Sequence, residues 1–333
     1  MPETRTKEYN PVTLHPNLRL HRLERRSGDW ALIADVLRGL KSAPKRLSPT
    51  YFYDERGSQL FDRICTVPEY YVTRTETDIL TCNAGEIGGR IGDDALLVEL
   101  GSGASTKTRL LLDQLPGLAA YVPVDISRSH LLAAADRVAA AYPHIDVLPV
   151  CADFTQPFQL PNTRRAPARV VVFFPGSTIG NFDAPAAIAL LRTMRQIAGS
   201  AGALLIGYDL VKDPQVLERA YNDAAGVTAA FNLNVLTRLN RELGADFDLS
   251  RFAHEAVWVP AAGRVEMHLV SSCTQEVMIA GEAIAFAPGE RLVTEHCHKY
   301  TPEAFARLAA AAAWSATQTW TDARRYFNVQ YLE

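Results

Sequence analysis

The first features with the residue types and spacing for chemistry are three acids and a glycine turn. Glu99 ends the apolar run Leu96-Leu97-Val98 and is followed by Leu100 and the turn Gly101-Ser102-Gly103. Asp125 ends a second apolar run, Ala120–Val124, and Asp153-Phe154 stands just beyond a third, Asp146–Cys151. Glycines let a backbone turn sharply and let a ligand approach it. A helix start just after the turn, at Thr106, leaves N–H groups unpaired. A carboxylate at the end of the second strand can accept hydrogen bonds from a ribose diol, and Asp153-Phe154 could lie beside an adenine. The chemistry suggested is the binding of a nucleotide-like ligand. The third glycine of a dinucleotide fingerprint is missing, since Thr106 and Lys107 stand there, and no G-x-x-x-x-G-K-[ST] occurs. Each acid also has a plain structural use, Asp125 as a helix cap and Asp153 as a turn residue.

Two further groups could line a pocket. The stretch Tyr51–Asp62 and the stretch Ile64–Glu76 crowd aromatics against charges, with Gly57 and Pro68 fixing turns. They read either as a packed surface turn or as tyrosine hydroxyls facing a ligand, a use that suits an apolar body with a polar tip. Phe173–Phe182 bends at Gly176 and Gly180 and presents Asn181, whose amide can hold an amine or a carboxylate without adding charge. The other use of Asn181 is a left-handed turn position. In His296-Cys297-His298, strand alternation puts the two histidines on one face and Cys297 on the other. No metal is expected there, for want of a clustered set of ligands.

These residues need elements to carry them. Strands are expected at Leu96–Glu99, Ala120–Val124, Asp146–Cys151, Arg169–Pro175 and Ala203–Asp209, alternating with helices at Thr106–Leu115, Ser127–Ala141 and Ala184–Ala198. That alternation predicts an α/β doubly wound sheet, with ligands beyond the carboxyl ends of its strands, where Glu99, Asp125 and Asp153 fall. Upstream, helices are expected at Asp29–Leu40, Ser58–Cys65 and Thr75–Ile87, behind a loosely held arm over residues 1–20. After Asp209 the pattern changes to a helix, Pro214–Asn240, and then strands at Arg251–Trp258, Arg264–Ser272, Gln275–Ala280, Ala285–Phe286 and Arg291–Tyr300. This reads as a second unit inserted after the fifth strand. A helix at Pro302–Ala313 and closing strands at Trp314–Asp322 and Tyr326–Leu332 return the chain to the first sheet.

Composition narrows the classes. The chain has 333 residues, 48% hydrophobic and 21% charged, enough for a large core in about two domains. A formal net charge of -3 gives no basic excess of the kind nucleic-acid binders carry. Five scattered cysteines with no CxxC pair suggest a reduced intracellular protein without disulfides. No secretory signal is seen and no run approaches the roughly 20 apolar residues of a membrane span, so a cytoplasmic protein is expected.

The E-x-G-x-G strand end resembles the first motif of S-adenosylmethionine-dependent methyltransferases. With YFYDERGSQLFDRICTVPEYYVTRTE, VELGSGASTKTRLLLDQL, YVPVDIS, ADF, FFPGSTIGNF, AYND, RVEMH and TEHCHKY, spread from Tyr51 to Tyr300, the chain resembles the histidine-specific Nα-methyltransferases of ergothioneine biosynthesis. The resemblance implies a Rossmann-like S-adenosylmethionine methyltransferase sheet with an inserted α+β substrate-binding domain. The substrate-binding part would be 20–73 and 211–299, and the methyltransferase part 74–210 and 300–333. It implies S-adenosyl-L-methionine as donor, held by Tyr53, Gly101, Lys107, Asp125, Asp153 and Phe154. It implies L-histidine as acceptor, held by Tyr70, Asn181, Tyr221, Met267, Glu295 and Cys297, and trimethylated at its α-amine to hercynine. The expected enzyme is a monomer acting on a small amino acid, with no nucleic-acid or membrane partner.

Transfer of a methyl group to an amine needs a neutral nitrogen and a good line of approach more than an acid–base team. Alignment alone can supply up to about 7–11 kcal/mol of the barrier. Asn181 and Tyr221 are expected to bind the carboxylate and Glu295 the imidazole, leaving the α-amine aimed at the donor between the catalytic pair Tyr53 and Tyr70. No histidine or lysine is evidently placed as base, so the proton is expected to leave to water. Two residues depart from the family pattern, Cys297 for Ser and Val72 for Pro. A thiol is the weaker hydrogen-bonding group, so a different amino acid or a histidine derivative is the alternative substrate. A nicotinamide oxidoreductase lacks support in the missing third glycine. A nucleic-acid methyltransferase would want a basic face and an aromatic-flanked Asn/Asp-Pro-Pro loop. A non-catalytic relative would not need to retain the acids and glycines.

Overall fold

The computed structural model describes residues 15–19, 29–156 and 158–333. Of the expected N-terminal arm, 15–19 lie among these, with Leu18 bridging Val147. The rest of the arm lies outside the described residues. In chain order the elements are α1 (Asp29–Leu40), β1 (Lys45–Arg46), α2 (Glu55–Ile64), α3 (Tyr71–Ile91), β2 (Ala95–Leu100), α4 (Thr106–Leu112), β3 (Ala120–Asp125), α5 (Arg128–Ala141), β4 (Asp146–Val147), β5 (Val150–Cys151), β6 (Arg169–Phe174), α6 (Ala184–Ala198) and β7 (Ala203–Asp209). They continue with α7 (Pro214–Tyr221), α8 (Val227–Leu243), β8 (Phe252–Val259), β9 (Arg264–Ser271), β10 (Gln275–Ile279), β11 (Glu282–Phe286), β12 (Arg291–His298), α9 (Pro302–Ala311), β13 (Ala316–Thr321) and β14 (Phe327–Leu332).

The main sheet runs β13-β14-β7-β6-β2-β3-β4, with β5 also paired to β3. Strands β2 to β7 are parallel, while β14 lies antiparallel to β7 and β13 antiparallel to β14. Every residue of β2, β7 and β14 is buried, as befits strands covered on both faces. The direction of winding reverses at β2, which pairs β3 on one side and β6 on the other. The crevice beyond such a reversal is where sheets of this kind bind ligands, and Gly101-Ser102-Gly103 stands there.

A second sheet, β1-β12-β9-β8, is antiparallel except for the short β1. Its inner residues Met267 and Leu292 join Phe231, Tyr70 and the main-sheet residues Leu97, Val171 and Leu205 in one apolar cluster. The opposite face of the main sheet, with Val98, Val172 and Ile206, packs on Leu190, Leu191 and Phe305 of α6 and α9. The second sheet is thus sealed onto the first along one shared core, and the seam between them holds the site.

Several boundaries differ from expectation for local reasons. Asp146–Cys151 is two short strands around Leu148-Pro149, because a proline supplies no ladder N–H. The long helix after Pro214 is two helices. Asn222 leaves the helix to exchange hydrogen bonds with the Ala256 backbone at 2.8 and 3.0 Å. Asp223 then caps α8, accepting from the N–H of Val227 and Thr228 at 2.8 Å each. Strands β10 and β11 form a hairpin apart from the second sheet. Helix α3 starts at Tyr71, four residues earlier than its periodicity suggests.

Candidate active site

The donor-side turn is built from backbone. Gly101 and Gly103 have φ of 70° and 49°, as does Ser105 at 54°, so the chain passes three left-handed positions before α4. The N–H groups of Gly101 and Ser102 bond to the Val124 carbonyl at 2.8 and 3.1 Å, tying the turn to the end of β3. Asp125 completes the tie, accepting from Gly103 N–H at 3.0 Å and from Ser127 N–H at 2.8 Å. Burial raises the Asp125 carboxyl, and the two N–H groups oppose that rise. The Phe154 ring packs edge-on to Phe174, 5.5 Å between centroids, and over Gly101, where a Cβ would meet it at 3.6 Å. Asp153 accepts from Thr155 N–H and Oγ1 at 2.9 and 2.6 Å, so it also serves its own turn.

Glu99 proves to be a structural acid. It is buried, accepts from Thr108 Oγ1 at 2.5 Å and from the Tyr121 hydroxyl, and so lies under the turn rather than in front of it. Burial pushes its carboxyl up to about 7. Lys107 is also engaged within the protein. Its ammonium pairs with the buried Glu76, which accepts Gly176 N–H at 3.0 and 2.9 Å through its two oxygens. Glu76 fits only because residue 207 is glycine, where a Cβ would stand 2.0 Å from the carboxylate.

The turn fits the donor expected of it. Among the described residues, a Cβ at Gly103 would meet no heavy atom within 4 Å, and the buried Ser102 hydroxyl has no hydrogen-bond partner. Open space, an unpaired hydroxyl and an acid at a strand end suit a nucleoside with ribose hydroxyls.

Beside this turn, side chains from distant elements enclose a cavity. Tyr53, Tyr70, Asn181, Tyr221, Met267, Glu295 and Cys297 all line it, together with Phe61, Ile64, Gly176, Ser177, Thr178, Thr228 and Phe231. Tyr53 sits edge-on to Phe61 and Phe231, and Tyr70 edge-on to Tyr221 at 5.9 Å. Glu295 and Cys297 project together from β12, two residues apart, with Met267 opposite Glu295 on β9. His296 and His298 take the other face, their rings 6.4 Å apart. Among the described residues no group of three or more acids, histidines and cysteines is arranged to hold a metal ion.

Asn181 is carried by a short 3-10 turn, Thr178–Asn181, and the left-handed position belongs to Ser177 instead, at φ 61°. The turn rests on β12 so closely that a Cβ at Gly180 would stand 2.7 Å from the His298 carbonyl oxygen. Asn181 Nδ2 donates to Glu295 Oε1 at 3.1 Å, and Cys297 Sγ lies 3.8 Å from Asn181 Oδ1 and 2.8 Å from the Tyr221 hydroxyl. Burial raises Glu295 to about 7, against the pull of Lys299 and Asn181. A polar strip of amide, carboxylate, thiol and phenol therefore runs along one wall, with aromatic rings opposite.

Sequence reasoning missed Phe61, Ile64, Thr228 and Phe231 of the lining, and Glu76, Asp209 and Lys299 behind it. Phe231 falls within the expected helix Pro214–Asn240, where spacing alone does not tell pocket lining from core. Glu76 carried a signal, an acid inside the otherwise amphipathic start of α3. Asp209 could have been read as a further acid at a strand end.

A parallel sheet with an antiparallel closing pair and a glycine turn at its reversal point is the Rossmann-like sheet of the S-adenosylmethionine-dependent methyltransferases. Within that class, the chain belongs to the family described as "Histidine-specific methyltransferase, SAM-dependent", whose profile matches residues 32–333. It is 45% identical over 298 residues to a histidine N-alpha-methyltransferase of Mycolicibacterium smegmatis, covering 88% of this chain and 91% of that one. A histidine N-alpha-methyltransferase of Mycobacterium tuberculosis is 42% identical over 301 residues, 89% of this chain and 92% of its own. Ergothioneine biosynthesis protein 1 of Neurospora crassa is 31% identical over 296 residues, covering 86% of this chain but 33% of the longer fungal one. The methyl donor is S-adenosylmethionine.

Proposed function

We propose that this chain methylates the α-amine of L-histidine to its trimethylated betaine, hercynine, as a step of ergothioneine biosynthesis. The observation that carries the reading is the cavity itself. One carboxylate, Glu295, and one amide, Asn181, stand 3.1 Å apart on its wall beside the donor turn.

In this reading Gly101, Asp125, Asp153 and Phe154 hold the donor, with Lys107 at the edge of the same turn. The donor supplies an electrophilic methyl group. Glu295 takes an imidazole N–H, Met267 and Cys297 lie beside the ring, and Asn181 and Tyr221 bind the amino-acid backbone. Tyr53 and Tyr70 flank the α-amine, which sheds its proton to water before each transfer. Their ring faces also suit the growing cation, a contact worth about 0.5–2 kcal/mol. The expected substrate-binding unit, 20–73 with 211–299, supplies Tyr53, Tyr70, Tyr221, Met267, Glu295 and Cys297, and the remainder supplies the donor turn and Asn181. On the same proposal the enzyme works in the cytoplasm, whose reducing conditions suit its five free cysteines, and as a monomer; sedimentation of the purified chain reads its oligomeric state.

The test is mass spectrometry of histidine incubated with purified protein and S-adenosylmethionine. Three successive methyl additions are expected, and no turnover of histidine would overturn the reading. The thiol at Cys297 favours one second reading, the same chemistry on a histidine derivative or another amino acid, which a substrate panel separates.

A further inference from the structure

Behind the pocket wall lies a cluster that the reaction as described does not use. Lys299 has no exposed side-chain surface, and its ammonium lies 2.8 Å from Asp209 Oδ2, 2.8 Å from the Tyr221 hydroxyl and 3.6 Å from Cys297 Sγ. An ammonium has three N–H donors and no acceptor, so all three are spent. Asp209 also accepts from Lys212 and from the Tyr71 hydroxyl, each at 2.6 Å.

Two consequences follow. The first concerns direction. The Tyr221 oxygen accepts from Lys299, so its own hydrogen cannot point back at the lysine. It must point into the cavity, where its neighbour is the Cys297 sulfur at 2.8 Å. Sulfur is a weak acceptor, and an incoming carboxylate oxygen would take that hydrogen in its place. The second concerns charge. Lys299 and Lys212 share the Asp209 carboxylate; burial lowers Lys212 to about 8, with Asp322 favouring its charge, while Lys299 stays an ammonium with no exposed side-chain surface. Glu295 does not neutralise it by contact, because its hydrogen bond goes to Asn181. A buried ammonium attracts anions strongly in a low-dielectric interior, and an anionic group bound at Tyr221 would face it.

We infer that Lys299, anchored by Asp209, is a positioning residue that fixes Tyr221 as a hydrogen-bond donor and so makes the pocket select substrates with an α-carboxylate. The inference rests on the proposed amino-acid reading of the cavity. Burial works against charge on Lys299, but Asp209 outweighs it and holds the ammonium well above the ordinary lysine range, so the charge persists across physiological pH.

The experiment is calorimetric titration of L-histidine and of histamine, its counterpart without the carboxylate, in the presence of S-adenosylhomocysteine. The unaltered protein is expected to prefer histidine at least tenfold. Lys299→Met should weaken histidine tenfold or more and leave histamine and S-adenosylhomocysteine within about twofold. Tyr221→Phe should do the same, and the double variant should be no worse than either single one. Equal losses for histidine and histamine, or additive losses in the double variant, would overturn the inference. Lys299→Gln keeps a donor for Asp209 without the charge, and it takes the place of Lys299→Met if that variant does not fold, with the same histidine-selective loss expected. Should the unaltered protein bind no histidine, the histidine reading fails by itself. The same comparison is then made with each amino acid of a panel against its decarboxylated amine, and lack of discrimination in every pair would overturn the role of Lys299.

Discussion

At the donor turn the polar groups are largely backbone N–H, and the residues lie in short contiguous stretches, Gly101–Lys107 and Asp125–Ser127. In the acceptor pocket the polar groups are side chains, brought from α7, from the turn before α6 and from β12, and the strip they form is buried behind aromatic rings. The two regions respond differently to change. A backbone cradle fails when its path is disturbed, whereas a side-chain wall can lose one contact and keep its shape. Loss of donor binding is therefore expected to be all-or-none, and loss of acceptor binding graded and selective by ligand.

The largest effect is expected at Asp125, which holds both sides of the donor turn through Gly103 and Ser127. Asp125→Ala removes two hydrogen bonds to a charged acceptor, each worth about 1.5–3 kcal/mol, and any bond to ribose. Affinity for S-adenosylhomocysteine should fall by about 100-fold or more in calorimetry. A loss of less than about tenfold would mean that the turn keeps its path without Asp125.

Next comes Glu295→Ala, which takes the carboxylate from the acceptor wall. Histidine affinity should fall about 10- to 100-fold, the cost of one charged hydrogen bond, while S-adenosylhomocysteine binds as before. Loss of equal size for amino acids without an imidazole would remove Glu295 from side-chain recognition and weaken the contrast between the two regions.

That contrast also explains what was legible in the sequence. The parallel strands, the glycine turn and Asp125 could be read because each is a local pattern: an apolar run, a turn and an acid at a fixed offset. For the acceptor pocket, residue types alone singled out the tyrosine stretches and Asn181 as candidates, and the roles of Tyr70, Asn181, Tyr221, Met267, Glu295 and Cys297 were reached through family resemblance, since no spacing rule links positions that meet only through β-pairing and helix docking. Lys299 and Asp209 escaped both routes. Their partnership exists only because β12 ends where β7 ends, and Tyr300 N–H bonds to the Asp209 carbonyl at 3.0 Å. Glu99 shows the limit of the strand-end rule, which does not say whether a carboxylate faces the crevice or turns beneath it toward Thr108 and Tyr121.

Glu99 and Glu295 offer a matched pair for a smaller effect, since burial raises both to about 7. In the unfolded chain a glutamate releases its proton near pH 4.3. Between that pH and about 7 the folded state holds a proton the unfolded state has lost, so stability falls as pH rises through the window. Glu295→Gln should remove one such loss, gaining on the unaltered protein by about 1–3 kcal/mol between pH 5 and 8 in urea unfolding. Saturating histidine should shrink the gain at Glu295, because an imidazole N–H favours the carboxylate, and should not alter the titration of Glu99, which is occupied by Thr108 and Tyr121. Parallel pH curves for Glu295→Gln and the unaltered protein would place the Glu295 carboxyl in its ordinary range.

The smallest expected effect falls on the residue that departs from the family pattern. Cys297 touches three polar neighbours, Tyr221, Lys299 and Asn181, at 2.8, 3.6 and 3.8 Å. A hydroxyl in its place both donates and accepts more strongly than a thiol, and the Tyr221 hydroxyl, at 2.8 Å from the sulfur, is already in reach. Cys297→Ser should tighten histidine binding about two- to fivefold, about 0.4–1 kcal/mol, without altering the affinity for S-adenosylhomocysteine. A buried thiol also packs as a small apolar group, so the opposite sign has a definite meaning. Weaker histidine binding by Cys297→Ser would show that this wall uses the sulfur for volume rather than for hydrogen bonding, and that the pocket is shaped for a ligand other than one suited to serine. Measured with histidine and with the rest of the amino-acid panel, this single substitution separates a tuned histidine site from a redirected one.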